Sequence, residues 1–331
     1  DPQEAQKLKN FFEKLNLFMP ESNFKQVLKP RCARFLNNPV GTAPALLWEL
    51  KQSDYSFLNS DKIIMCFPGV PNELYGIWEE SVNDYLSQYS EGVILNRHVK
   101  FANLPESQLA EKVRDLLDNS NPTVAPYVTK GEAYLRVSAK ARTKQEAEAM
   151  INKVQEEIIK RTGEYFYGID DEALEDVIGK LLTEKNLTVA VAESCTGGLI
   201  SSRLTDVSGS SAYVTLNVVT YANDAKAKLL GVKQETLLKY GAVSEQTAKE
   251  MAEGIKSLSG ADFGLSITGI AGPSGGSKEK PVGLAYIGLA DKNDVNVYKI
   301  LVSSKYNRAD IKYRFSQKAL DILRKAILTL D

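Results

Sequence analysis

The sequence is poor in the residues that bind metals through sulfur and nitrogen. Its 331 residues hold 3 cysteines and 1 histidine. Cys32, Cys66 and Cys195 are scattered and odd in number, and His98 has no partner at ligand spacing. That pattern argues against a Cys/His zinc site and suits a reduced, cytoplasmic setting. Charge of one sign is also missing, since 41 basic side chains face 42 acidic ones for a net charge of −1. A strongly electrostatic partner such as DNA or an anionic membrane is not expected, and there is no strong nucleic-acid signal. Long apolar runs are absent. Residues 281–290 form about the longest, far short of a membrane span. No signal-peptide pattern, internal repeat or low-complexity stretch is found. The chain opens at Asp1 rather than methionine, which reads as a start inside a longer protein.

What is present centres on residues 187–204. The short, uncharged and β-branched run Leu187-Thr188-Val189-Ala190-Val191-Ala192 predicts a buried strand. Leu199 to Leu204 has helical spacing. Between them Glu193-Ser194-Cys195-Thr196-Gly197-Gly198 forms a strand-to-helix turn, where backbone N–H groups suit an anion or a developing oxyanion. Ser194 then sits at the carboxyl edge of a sheet, where open α/β folds bind ligands. The competing reading is that Ser194 or Thr196 only caps the helix.

Before this turn, the spacing predicts an amphipathic helix over 1–17 with Leu8, Phe11, Phe12 and Leu15 on one face. A turn-rich loop follows at 37–44. A strand at 62–67 runs into a Gly/Pro loop and a helix through Tyr85. Residues 91–168 read as a small α+β module, with a helix from Leu104 to Leu117, an alternating strand at 133–139 and a helix over 144–161 capped by Thr143. The module has no GXXG loop and is not markedly basic, so it reads as a spacer or dimerisation element.

From Asp171 onward helices and strands alternate, which predicts a layered α/β domain. Strands are expected at 212–221, 261–267, 282–289 and 295–302, and helices at 223–230, 244–258 and 308–330. Three strand ends deliver polar groups: Ser194, then Tyr221 to Lys226, then Thr268 with its glycine loop. With Asn223 as N-cap, Lys226 lies against the helix dipole, and partial burial would lower its pKa enough for it to act as a base. An ordinary surface lysine and a core Tyr221 are the alternatives. The loop 269–276 has glycines enough to hold a phosphate, and Arg308 suits a fork-like grip on one.

The stretches AESCTGG (192–198), VTYANDAK (219–226), YGAVS (240–244) and SITGIAGPSGGSKEKPVG (266–283) resemble the CinA family, whose C-terminal domain is similar to stand-alone PncC-type nicotinamide-mononucleotide deamidases. NNPVGTAP (37–44) and FPGVPNEL (67–74) resemble the second half of that family's molybdopterin-binding-like (MogA/MoeA-type) domain. The resemblance implies a partial domain of that type at 1–90, a KH-type module at 91–168 and the deamidase domain at 169–331. It also implies hydrolysis of the carboxamide of nicotinamide mononucleotide (NMN), giving nicotinic acid mononucleotide and ammonia in pyridine-nucleotide recycling. Carried over by position, the catalytic residues are Ser194, Lys226, Tyr221 and Thr268. The substrate-binding residues are Cys195, Thr196, Gly197, Gly198, Gly269, Ala271, Gly272 and Arg308.

No cofactor is implied for the deamidase. A divalent metal enters only if the first domain, associated in the family with ADP-ribose pyrophosphatase activity, is complete. The residues here do not include its TGGLGPT-type loop or the acidic residues after it. The implied partners are a pyridine mononucleotide and, as a homodimer, a second copy of the chain. ADP-ribose hydrolysis and a non-catalytic nucleotide-sensing scaffold are the alternative functions.

Overall fold

The computed structural model describes residues 1–90, 92–129 and 132–330. Positions 91 and 331, where two of the expected domain limits fall, lie outside them. The chain forms two compact units, residues 1–91 and 92–331.

The first unit carries α1 (Pro2–Lys14) and an antiparallel three-stranded sheet of β1 (Arg34–Leu36), β2 (Ala45–Leu50) and β3 (Lys62–Cys66) in that order. The helices α2 (Pro71–Ile77) and α3 (Asn83–Ser87) follow, joined by a π turn. Leu36, Ala45, Leu47, Ile77 and Val82 make its small core. The expected apolar face of α1 is only partly used: Leu8 is buried, while Phe11 and Leu15 are exposed. The helix also stops at Lys14, three residues early, where Asn16 takes a left-handed φ of 55°.

In the second unit the middle module has an antiparallel sheet in the order β5 (Thr123–Thr129), β6 (Glu132–Ala141), β4 (Val93–Phe101), β7 (Phe166–Ile169). The helices α4 (Glu106–Lys112) and α5 (Lys144–Thr162) accompany it. Alternation in β6 turns Leu135, Val137 and Ala139 inward onto Ile151 and Ile158 of α5. Thr143 caps α5 as expected, in a reciprocal box with Glu146.

The last domain has a five-stranded sheet in the order β12 (Val295–Leu301), β11 (Leu284–Ala290), β10 (Phe263–Gly269), β8 (Val189–Glu193), β9 (Val214–Val219). β8 runs parallel to both β10 and β9, and β11 and β12 close the other side as an antiparallel hairpin. Val189 and Val191 of β8 pack with α6 (Leu174–Glu184), α7 (Leu199–Asp206) and α11 (Arg308–Thr329). Ala190 and Ala192 face the opposite layer, formed by α8 (Asn223–Leu230), α9 (Gln234–Tyr240) and α10 (Glu245–Ser259). The result is a three-layer α/β domain. Small residues on one side of the sheet let α10 approach closely: a Cβ at Gly264 or Gly288 would strike the α10 backbone. The short α9 was not anticipated, because seven residues show too little periodicity.

Candidate active site

The site begins where β8 ends. Glu193 is the last strand residue, and the Ser194 N–H donates to the Ile267 carbonyl of β10 at 3.0 Å. Gly197 and Gly198 take φ values of 63° and 95°, conformations that side chains resist, and so reverse the chain into α7. Neither Ser194 nor Thr196 caps that helix. The buried Glu193 carboxylate does so, accepting from the N–H groups of Gly198 at 3.0 Å, Ile200 at 3.2 Å and Ser201 at 2.8 Å. It also accepts from the Ser201 hydroxyl at 2.6 Å. A negative charge at a helix N-terminus is favourable on its own account. Ser194 is thereby released from a capping role. The turn's N–H groups are only partly available to a ligand: those of Cys195 and Thr196 meet no acceptor among the described residues.

Lys226 reaches Ser194 from the neighbouring strand's exit. The N-cap of α8 is Ala222 rather than Asn223, which makes Lys226 the fourth helical residue. Helical side chains lean toward the N-terminus, so its ammonium folds back over the start of α8. There Nζ donates to the carbonyls of Thr220 at 2.7 Å and Tyr221 at 3.4 Å, and lies 3.1 Å from Ser194 Oγ. Lys226 is almost wholly buried, and no carboxylate pairs with it among the described residues. Burial pushes its pKa below the ordinary 10.5, favouring the neutral amine. The surface-lysine alternative is therefore wrong for this position.

The other expected residues divide. Tyr221 is exposed rather than a core aromatic, and its hydroxyl accepts from Arg308 Nη2 at 3.0 Å. Arg308 Nη1 donates to the Gly272 carbonyl at 2.6 Å, so this arginine joins the exit of β9 to the loop after β10. Thr268 is buried at the end of β10, but its hydroxyl donates to the Ala242 carbonyl at 2.8 Å and makes no hydrogen bond with Ser194 or Lys226. Ala271 belongs to the hydrophobic core. Gly269 owes its size to β11, since a Cβ there would lie 2.5 Å from Ala285 Cβ. Cys195 is buried, which pushes its thiol up to about 12 and disqualifies it as a thiolate nucleophile near neutral pH. Thr196 is fully buried, with its hydroxyl unpartnered.

Two residues escaped the sequence reading. Glu193 carried a readable signal, a carboxylate just ahead of a helix start. Lys312 did not: it lies one turn beyond Arg308, and its Nζ would be 3.5 Å from a Cβ placed on Gly197. A shallow cavity of about 590 Å³ is lined by Leu199, Arg308, Lys312 and Tyr313 beside the turn. Among the described residues no group of three or more His, Cys, Asp or Glu side chains is placed to hold a metal ion.

Fold and site together define a three-layer α/β domain with a buried serine–lysine pair at the carboxyl ends of its parallel strands. The CinA C-terminal domain matches residues 171–327, and the KH domain of damage-inducible protein CinA matches residues 96–168. A protein of Thermoanaerobacter sp. (strain X514) named as competence-damage inducible is 46% identical over 318 residues, 96% of this chain and 74% of its own length. A CinA-like protein of Dictyoglomus thermophilum is 45% identical over 325 residues, 98% of this chain and 76% of its own. The crystal structure of the competence/damage inducible protein CihA from Agrobacterium tumefaciens is 42% identical, covering 48% of this chain and 98% of that one with a TM-score of 0.45. The chain belongs to the CinA family. No described helix is long and apolar enough to cross a membrane.

Proposed function

We propose that the last domain is an amidohydrolase that deamidates a pyridine mononucleotide, NMN being the expected substrate. The observation that carries this reading is the buried Lys226 Nζ at 3.1 Å from Ser194 Oγ, with no carboxylate among the described residues to hold the lysine charged. A neutral amine at hydrogen-bond distance from a hydroxyl is a general base aimed at its nucleophile.

Lys226 takes the Ser194 proton as Oγ bonds to the carboxamide carbon. The Cys195 and Thr196 N–H groups face the developing oxyanion. The C–N bond then breaks, and the proton on Lys226 leaves with the nitrogen as ammonia. Water attacks the acyl-serine, giving a proton to Lys226. The C–Oγ bond breaks, Ser194 recovers its proton and the carboxylic acid departs. Arg308 and Lys312, one turn apart on α11, supply the positive charge that a nucleotide phosphate needs.

Ammonia release from NMN is measured for the chain and for Ser194→Ala. The proposal expects turnover that the variant lacks, and equal rates would end it.

A further inference from the structure

A second group of cations on α11 faces away from Ser194. Arg314 and Lys318, one turn apart, line a cavity of about 400 Å³ where the middle module meets the last domain. Its walls come from both: Leu104 and Val128 from the module, Leu301 and Val302 from the end of β12. The guanidinium of Arg314 stacks 3.9 Å from the Tyr306 ring centroid, which covers one face and leaves its edge for other partners. None is supplied. Arg314 Nε is buried without a hydrogen-bond partner, and no carboxylate pairs with the group among the described residues. A buried donor left without a partner is costly, so an acceptor arriving there is favoured.

Lys318 Nζ gives one hydrogen bond, to the neutral Asn103 amide oxygen at 3.1 Å; burial lowers its pKa while the nearby Asp321 charge raises it, and an arriving phosphate favours its ammonium form. Two of its three donors remain for a ligand. Among the described residues two acidic ones line the cavity. Both oxygens of Glu132 are engaged, by Gln317 and by the Tyr167 hydroxyl, while Glu106 is exposed and pairs with neither cation.

We propose that this cavity is a second ligand site, which binds a phosphate monoester carrying an apolar organic group. A phosphate accepts the edge of Arg314 and the ammonium of Lys318 together, and the aliphatic walls take the organic part. The site is separate from the Ser194 pocket and does not depend on the deamidase reading. Both lie along α11, so a ligand here bears on the helix that carries Arg308.

The test is calorimetric titration of the full chain with phenyl phosphate, a probe with the required anion and ring. Arg308→Met serves as the background, so that binding at the Ser194 mouth is not counted. Saturable binding should persist in that background and weaken by about tenfold on adding Arg314→Met or Lys318→Gln. Glutamine can still donate to Asn103, so Lys318→Gln keeps the junction intact should Arg314→Met fail to fold. NMN turnover without phenyl phosphate should be unchanged when either substitution is made alone. Loss of all binding with Arg308→Met, or persisting binding that neither added substitution weakens, overturns the proposal.

Discussion

Lys226 Nζ donates to Ser194 Oγ at 3.1 Å across a sequence separation of 32 residues, inside a site that nearly excludes solvent. The strand order brings them together, because β8 and β9 are adjacent parallel strands whose carboxyl ends open on the same rim. The pH dependence of the proposed reaction follows from this pair.

Burial favours the neutral form of Lys226, so its folded pKa lies below 10.5. Between the folded value and 10.5 the unfolded chain binds the extra proton, so this group makes stability rise with pH across that window. The same deprotonation arms the base. The rate of NMN hydrolysis should climb with pH on a limb centred below 10.5, and Lys226→Met should lower kcat by roughly 10²–10⁴-fold and abolish the limb. Lys226→Arg should not rescue it, because arginine stays charged. An unchanged limb in Lys226→Met removes the lysine from the mechanism.

Glu193 accepts four hydrogen bonds at the start of α7. Glutamine would replace one accepting oxygen with a donor facing N–H groups. Glu193→Gln should cost about 2–3 kcal/mol, read as a lower urea midpoint, and should slow turnover because the Ser194 turn loses its anchor. An unaltered midpoint would show that the carboxylate does not hold the turn.

The two terminal nitrogens of Arg308 go to different partners, the Gly272 carbonyl and the Tyr221 hydroxyl. Lysine cannot reproduce that fork. Arg308→Lys should raise KM for NMN by about tenfold or more with a smaller change in kcat, and Tyr221→Phe should show a weaker shift in the same direction. Steady-state kinetics separates the two constants, and a pure kcat loss would move Arg308 from binding to chemistry.

Gly254 sits in α10, where an added Cβ would strike the Leu230 carbonyl at the end of α8. Because α8 carries Lys226, the clash reaches the site. Gly254→Ala should destabilise the protein by about 1–3 kcal/mol and lower activity together, as seen by denaturation and ammonia release.

Cys32 and Cys66 are exposed, whereas Cys195 is buried and its pKa is pushed up to about 12. Iodoacetamide at neutral pH should label the first two and spare Cys195, leaving NMN turnover intact. Mass spectrometry of the labelled peptides reads this directly, and labelling of Cys195 with loss of activity would favour a thiol nucleophile.

The strand at 189–193, the turn after it and the closing helix were legible because local patterning encodes which side of an element is buried. The paired glycines at 197 and 198 marked the chain reversal for the same local reason. Some local details were not legible. Ala222 rather than Asn223 precedes α8, and the Thr268 hydroxyl turns to the Ala242 carbonyl, a loop residue that no strand pattern reveals.

The sequence by itself determined the layered α/β class, the order of its elements apart from α9, and the presence of a serine at a strand-to-helix turn. Each of these rests on contacts between near neighbours, where spacing and backbone preference suffice. Only the tertiary structure decided that Glu193 takes the capping role, that Lys226 is buried against Ser194, and that Arg308 meets Tyr221 from 87 residues away. Those meetings depend on which strands lie side by side and how closely helices pack on them, long-range relations that no local spacing carries.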